Sequence, residues 1–225
     1  MDSTRAIDTT GLTFFFLDEA DTVEAIAARI IPGNAEDPGA REAGVVYYID
    51  RALSGPYFGW QSVYREGVRT LNAYTTQRYG KKFFELSEAD QDVVIGALER
   101  GEVPGFDDSE GETSGSEAFF TTVWAHTIEG MFSDPAYGGN RDAVGWRLIG
   151  FPGAQYGYSA EDMRYGTDLS NKPIMTLGDV QRLAREQPEL FYHRPGPGPS
   201  VPEEETPEMP TRPGEPEEPP GEGGG

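Results

Sequence analysis

The sequence predicts a mainly α protein: a compact, irregular helical domain with long loops and a disordered C-terminal tail. Three observations carry this. Apolar residues recur at three- and four-residue spacing in several segments. Cap-type residues precede those stripes, and glycine or proline follows them. Period-2 alternation of apolar and polar residues is scarce. The reading divides the chain into a polar lead over 1–12, a helical domain over 13–193 and an acidic Pro/Glu/Gly-rich tail over 194–225. The tail has no apolar periodicity to offset its ordering entropy.

A first helix follows Asp18, with Val23, Ile26, Ala27, Ile30 and Ile31 on one face and Glu19 and Asp21 at its positive end. Pro32-Gly33 stops it. Phe14, Phe15 and Phe16 precede the helix and should pack back on it. A second helix is expected over 39–53, with Val45, Tyr48, Ile49 and Leu53 on one side. "SGPYFGW" breaks the chain.

A third helix over 60–79 carries Tyr64, Val68, Leu71 and Tyr74 or Thr75. Ser87, with Asp90 three residues on, starts a fourth whose face is Val93, Val94, Ala97 and Leu98. The polar run 107–116 reads as a disordered loop. Glu117 to Phe132 is the strongest helix, with Phe120, Val123, Trp124, Thr127, Ile128 and Met131 on a broad apolar face. "DAVGWRLIGF" has room for two turns, and Thr176 caps a last helix.

Composition excludes several functions. The formal net charge is −21, which repels nucleic-acid phosphates. The acidity has two readings: plain solubility with an acidic tail, or adaptation to a salt-rich milieu. There is no cysteine, so disulfides, thiolate metal sites, iron–sulfur clusters and c-type haem attachment are ruled out. No apolar run is long enough to span a membrane. The first residues have no basic segment, twin arginine or long apolar run, so an export signal is expected to be absent or already removed.

Motifs for chemistry are sparse. His126 and Glu129 lie three apart on one helix, but no second ligand pair joins them, and a histidine bonded at the edge of the core is the expectation. Ser133, His126 and Asp134 make a triad in arithmetic only, with no nucleophile elbow. Asp134, Asn140 and Asp142 are hard oxygen donors, yet their spacing misses the calcium-loop pattern. A local turn is preferred there: Asp134-Pro135 opens it, Gly138 and Gly139 supply positive φ, and Asn140 bonds nearby backbone. The acids Glu42 and Asp50 are expected on solvated helix faces. No catalytic, cofactor-binding or metal-binding residue is assigned, and no cofactor is expected in this chain.

Three segments, in order, resemble a known family. "AARIIPGNAEDPGAREAGVVYYIDRAL", "KKFFELSEADQDVVIGAL" and "EGMFSDPAYGGNRDAVGWRLIGFPG" are similar to the front, middle and most distinctive block of the gluconate 2-dehydrogenase subunit 3 family. The likeness covers about 12–160. It implies a non-catalytic small subunit of a membrane-associated, FAD-dependent sugar or polyol dehydrogenase. The implied partners are a glucose–methanol–choline-type flavoprotein, which carries the FAD, and often a cytochrome c subunit. The small subunit assists maturation and export of the large one, and many members carry a twin-arginine signal. An extracytoplasmic or membrane-associated place follows from the same resemblance.

The residues taken as a partner-interface or structural block are Asp134, Pro135, Tyr137, Gly138, Gly139, Asn140, Trp146, Phe151, Pro152 and Gly153. Residue type favours the protein's own core for Trp146, Leu148, Ile149 and Phe151, with an interface as the other reading. A structural turn that also shapes a partner surface is the reading for Tyr137 to Asn140. Two further functions stay open: a generic helical adaptor, and a small stand-alone enzyme using His126.

Overall fold

The computed structural model describes residues 7, 9–106, 115–155 and 157–192. Among these the regular elements are helices: α1 (Leu17–Ile30), α2 (Ala40–Ala43), α3 (Val45–Leu53), α4 (Gln61–Tyr79), α5 (Glu88–Glu99), α6 (Gly115–Phe132), α7 (Val144–Leu148), α8 (Leu177–Glu186) and α9 (Glu189–Tyr192). Their only β-type pairing is one parallel bridge between Gly153 and Met175. Among the described residues no helix is long and apolar enough to cross a membrane.

Helix α1 packs on α2, α3, α4, α5 and α6, so it sits at the centre. Its small and branched residues Ala20, Val23, Ile26 and Ala27 are buried, which lets several helices approach at once. Helix α6 crosses the same core and packs closely on α3 and α5. Tyr64, Val68, Leu71 and Thr75 form the buried stripe of α4, as their spacing predicts, with Thr75 chosen over Tyr74. The cap of α5 is also as expected: Ser87 Oγ accepts the Asp90 N–H at 3.2 Å. On its face Val94 and Leu98 are buried, but Val93 is exposed and Gln91 is buried instead, donating to the Phe83 carbonyl at 3.1 Å.

Other expectations are corrected. The helix expected over 39–53 is two helices, because Gly44 turns left-handed at φ 68° between α2 and α3. The Phe triplet splits: Phe15 enters the core against Tyr64, while Phe16 is exposed beneath the Arg65 guanidinium. Helix α6 starts at Gly115, and its buried face is turned from the expected one. Phe119, Val123, His126, Thr127 and Met131 are inside, and Trp124 is 48% exposed. Of the loop expected over 107–116, residues 107–114 lie outside the described residues and Gly115 and Ser116 belong to α6; the tail over 194–225 and His193 also lie outside them.

Asp50 overturns the solvated-acid reading. It is wholly buried in α3. One carboxylate oxygen accepts the Thr13 N–H at 2.6 Å and its hydroxyl at 2.7 Å. The other accepts the N–H groups of Phe14 and Phe15 at 2.9 and 2.7 Å. These donors cannot reach a helical acceptor at the entry to α1, so a charge satisfied by four of them replaces water. Glu42 remains exposed and accepts the Gly39 N–H at 2.8 Å.

Candidate functional site

Helix α6 ends at Phe132, and its last carbonyls have no helical partner. The segment that follows wraps back and supplies the donors. Asn140 N–H donates to the Gly130 carbonyl at 2.8 Å, and Asn140 Nδ2 to the Ser133 carbonyl at 2.8 Å. Trp146 Nε1 donates to the Phe132 carbonyl at 2.7 Å. Asn140 Oδ1 in turn accepts the Gly145 N–H at 2.8 Å. The block over 131–153 is therefore the C-terminal cap of α6, built around a fully buried asparagine.

Its glycines allow that wrap in two ways. Gly138 has φ 106°, which a side chain opposes. Gly139 does not have positive φ, contrary to expectation; a Cβ there would overlap the Gly130 carbonyl oxygen. The positive angles fall instead on Asn140, Asp142 and Ala143, at 45°, 55° and 55°. For Ala143 this is an uncommon state, held by the cap around it.

Asp134 and Pro135 open the turn as the sequence implies, and Asp134 Oδ1 accepts the Ala136 N–H at 2.9 Å. Its other oxygen does something the sequence did not signal. It accepts the Leu177 N–H at 2.6 Å, tying the turn to the start of α8. There Thr176 caps α8 as expected, and Asp179 completes the pair by accepting the Thr176 N–H at 2.9 Å. Pro152 and Gly153 are buried; Met175 N–H donates to the Pro152 carbonyl at 2.9 Å and Ala154 N–H to the Met175 carbonyl at 2.7 Å, the two bonds flanking the Gly153–Met175 bridge.

The four large side chains do not share one fate. Trp146 is 4% exposed and packs edge-on to Phe151. Leu148, Ile149 and Phe151 are 44%, 58% and 41% exposed, and Tyr137 is 56% exposed. The core expectation fails for Leu148, Ile149 and Phe151 because α7 is short and ends at Leu148, with one face against α2 and α6, and Ile149 and Phe151 follow it on the outer side.

Two cavities flank this turn. One, of about 450 Å³, is bordered by Gly138, Gly139, Arg41, Arg51 and Arg141. Arg41 pairs with Glu24 at 2.9 Å, and Arg141 lies over the Tyr47 ring. Burial pushes the Glu24 carboxyl up, against the pull of Arg41. The other cavity, of about 700 Å³, lies between α3, α6 and the turn, and includes Tyr48, Tyr57, Glu129, Phe132 and Ser133.

Glu129 and His126 were paired by spacing, but they serve different surroundings. His126 is stacked between Tyr57 and Tyr64, and its Nδ1 lies 2.9 Å from the Tyr64 hydroxyl. Burial pulls its pKa down, and Glu129 opposes this. Glu129 Oε2 accepts the hydroxyls of Tyr48 and Tyr57 at 3.0 and 3.1 Å. Burial, then the Glu129 charge, pushes both phenols up. Ser133 Oγ makes no hydrogen bond to His126 or to anything else in the described structure, so the arithmetic triad is not assembled. Asp134 and Asn140 spend their side-chain oxygens on backbone, and Asp142 is exposed on the arginine-lined wall.

The family model of gluconate 2-dehydrogenase subunit 3 matches residues 17–153, more than half of the chain. The match runs from the first residue of α1 to the Gly153 bridge, so it takes in the central core and the whole cap of α6. No curated protein and no solved structure matches the chain.

Proposed function

The chain belongs to the gluconate 2-dehydrogenase subunit 3 family, and from that premise we propose that it is the non-catalytic small subunit of an FAD-dependent sugar or polyol dehydrogenase. By its description the family is one subunit of a dehydrogenase complex, and partner subunits follow from that. In our reading the principal partner is a glucose–methanol–choline-type flavoprotein that holds the FAD, and a cytochrome c subunit can take the electrons.

The small subunit acts by binding. A ligand of the native state alone stabilises that state, so docking would favour the folded, flavin-loaded large subunit during maturation. The observation that carries this reading is the family match across the α6 cap. The exposed Tyr137, Leu148, Ile149 and Phe151 on that cap support it, since large side chains on a backbone fixed by hydrogen bonds are suited to anchoring.

Co-expression with and without the flavoprotein tests the proposal. The two chains should co-purify, with the flavin absorbance following the large one, and the large subunit expressed alone should yield less FAD-loaded protein. Flavin retained by the isolated small chain through gel filtration, or no co-purification, would overturn it.

A further inference from the structure

The cavity between α3, α6 and the Asp134–Tyr137 turn holds an acid with no countercharge. Among the described residues no arginine, lysine or histidine pairs with Glu129; its bonds come from two phenols, both to one oxygen. Among the described residues the second carboxylate oxygen has no donor. Close by, Ser133 Oγ is shielded from solvent and has no hydrogen-bond partner. One acceptor, the second Glu129 oxygen, is thus unspent among the described residues, in a cavity also lined by Ile128, Phe132, Tyr57, Tyr137, Arg51 and Asp134. Leaving a half-buried carboxylate without a cation is costly, and aromatic walls beside it favour one.

Arg51 borders the same cavity but does not supply the charge. Its side chain lies along the Gly138 backbone, where a glycine Cβ would meet it at 2.9–3.1 Å. It makes no ion pair with Glu129.

We propose that this cavity is the socket for an arginine side chain of the partner subunit. The inference rests on the partner-binding reading above and names the contact it uses. The aliphatic stem would lie along Ile128 and Phe132. The planar guanidinium would donate to the free Glu129 oxygen while facing the tyrosine rings. A guanidinium can bond a carboxylate in its plane and lay its flat face on an aromatic ring at the same time, which a compact ammonium does less well. The socket also adjoins the exposed Tyr137, so the charged contact and the apolar one would form together.

The full-length chain can be tested with n-butylguanidinium as a probe, followed by NMR shifts or intrinsic fluorescence, with n-butylammonium and uncharged n-butylurea as controls. The guanidinium should bind best and the urea least. Glu129→Gln should weaken its binding by about tenfold, as expected for losing one partner of a desolvated ion pair. Arg51→Ala should leave binding unchanged or stronger. In capture of the flavoprotein, Glu129→Gln should lose about tenfold as well. Ala136→Trp, which plugs the cavity mouth from an exposed turn position, should do the same at unchanged melting temperature and so keeps the test valid if Glu129→Gln folds poorly. Equal binding of butylurea, or wild-type capture by the folded Glu129→Gln and Ala136→Trp variants, would overturn the socket. If wild type captures no flavoprotein yet binds the guanidinium through Glu129, the partner reading falls while the cation site stands.

Discussion

The Asp50 carboxylate, buried in α3, accepts the backbone N–H of Phe15 at 2.7 Å across thirty-five positions of chain. Together with its bonds to Thr13 and Phe14 it fixes how the chain enters the central helix. Asp50→Ala would strand the buried Phe15 N–H, remove the part-buried bonds of Thr13 and Phe14, and leave a void in α3. We expect it to cost about 3–5 kcal/mol, the sum of these losses. Asp50→Asn should cost less, since one carbonyl oxygen remains. Urea unfolding of both variants checks this; a loss within experimental scatter for Asp50→Ala would mean that the entry segment is held by packing alone.

Why this tie was hidden, while other features were not, has a physical cause. The caps at Ser87 and Thr176 were legible because donor and acceptor lie three residues apart. The α4 stripe was legible because one side of that helix is polar. Asp50 looks like any other acid of an acidic chain until the fold brings Thr13–Phe15 to it. Likewise Tyr48 and Tyr57 reach Glu129 from 81 and 72 residues away. Helix α6 is apolar nearly all round, so periodicity could not choose Phe119 over Phe120 as the inner residue. The D-P-x-Y-G-G-N run was recognised as a turn, but its purpose depended on where α6 ends.

That purpose yields a prediction at Gly139. A side chain there collides with the Gly130 carbonyl oxygen, which is the acceptor of the Asn140 N–H. Gly139→Ala should therefore cost about 2–4 kcal/mol, as for overpacking combined with a lost buried bond. Gly138→Ala meets strain of angle and the Arg51 side chain, and should cost about 1–2 kcal/mol. The order of the two melting temperatures is the test; the reverse order would place the strain at φ and not at the close approach.

His126 predicts a pH dependence. Burial lowers its folded-state pKa below the ordinary 6.5. Tyr57, Tyr64, Trp60 and Glu129 surround it. Above the unfolded value both states are neutral and the group contributes nothing. As pH falls below about 6.5 the unfolded chain binds the proton first, so stability declines until the folded pKa is passed. Glu24 and Asp21, both raised by burial, act in the opposite direction. The measurable quantity is thus the difference between wild type and His126→Gln. The wild type should lose more stability between pH 7 and 5; parallel curves would show that folding leaves the pKa of the ring unshifted, and a relative gain would show that the folded ring holds its proton more tightly.

The acid excess predicts a salt response if it is an adaptation. With a net charge of −21, self-repulsion is screened when the Debye length falls from about 10 Å at 0.1 M to about 3 Å at 1 M. The melting temperature should rise between these concentrations of KCl. A flat profile would leave solubility as the reason for the charge.

The last prediction separates core from interface within one short segment. Trp146 donates to the Phe132 carbonyl and is almost wholly enclosed, so Trp146→Ala should cost about 3–5 kcal/mol of stability, as for a large aromatic removed from a core. Ile149 and Phe151 are both exposed by more than a third, Phe151 keeping one edge on the Trp146 ring. The double variant Ile149→Ala, Phe151→Ala should change the melting temperature little while weakening capture of the flavoprotein by about 2 kcal/mol or more. Each substitution thus answers to a different assay, thermal unfolding for the first and pull-down for the second. If the double variant captures the flavoprotein as well as wild type, the exposed end of α7 is not where the large subunit docks, and the contact must be sought at Tyr137 and the adjoining socket.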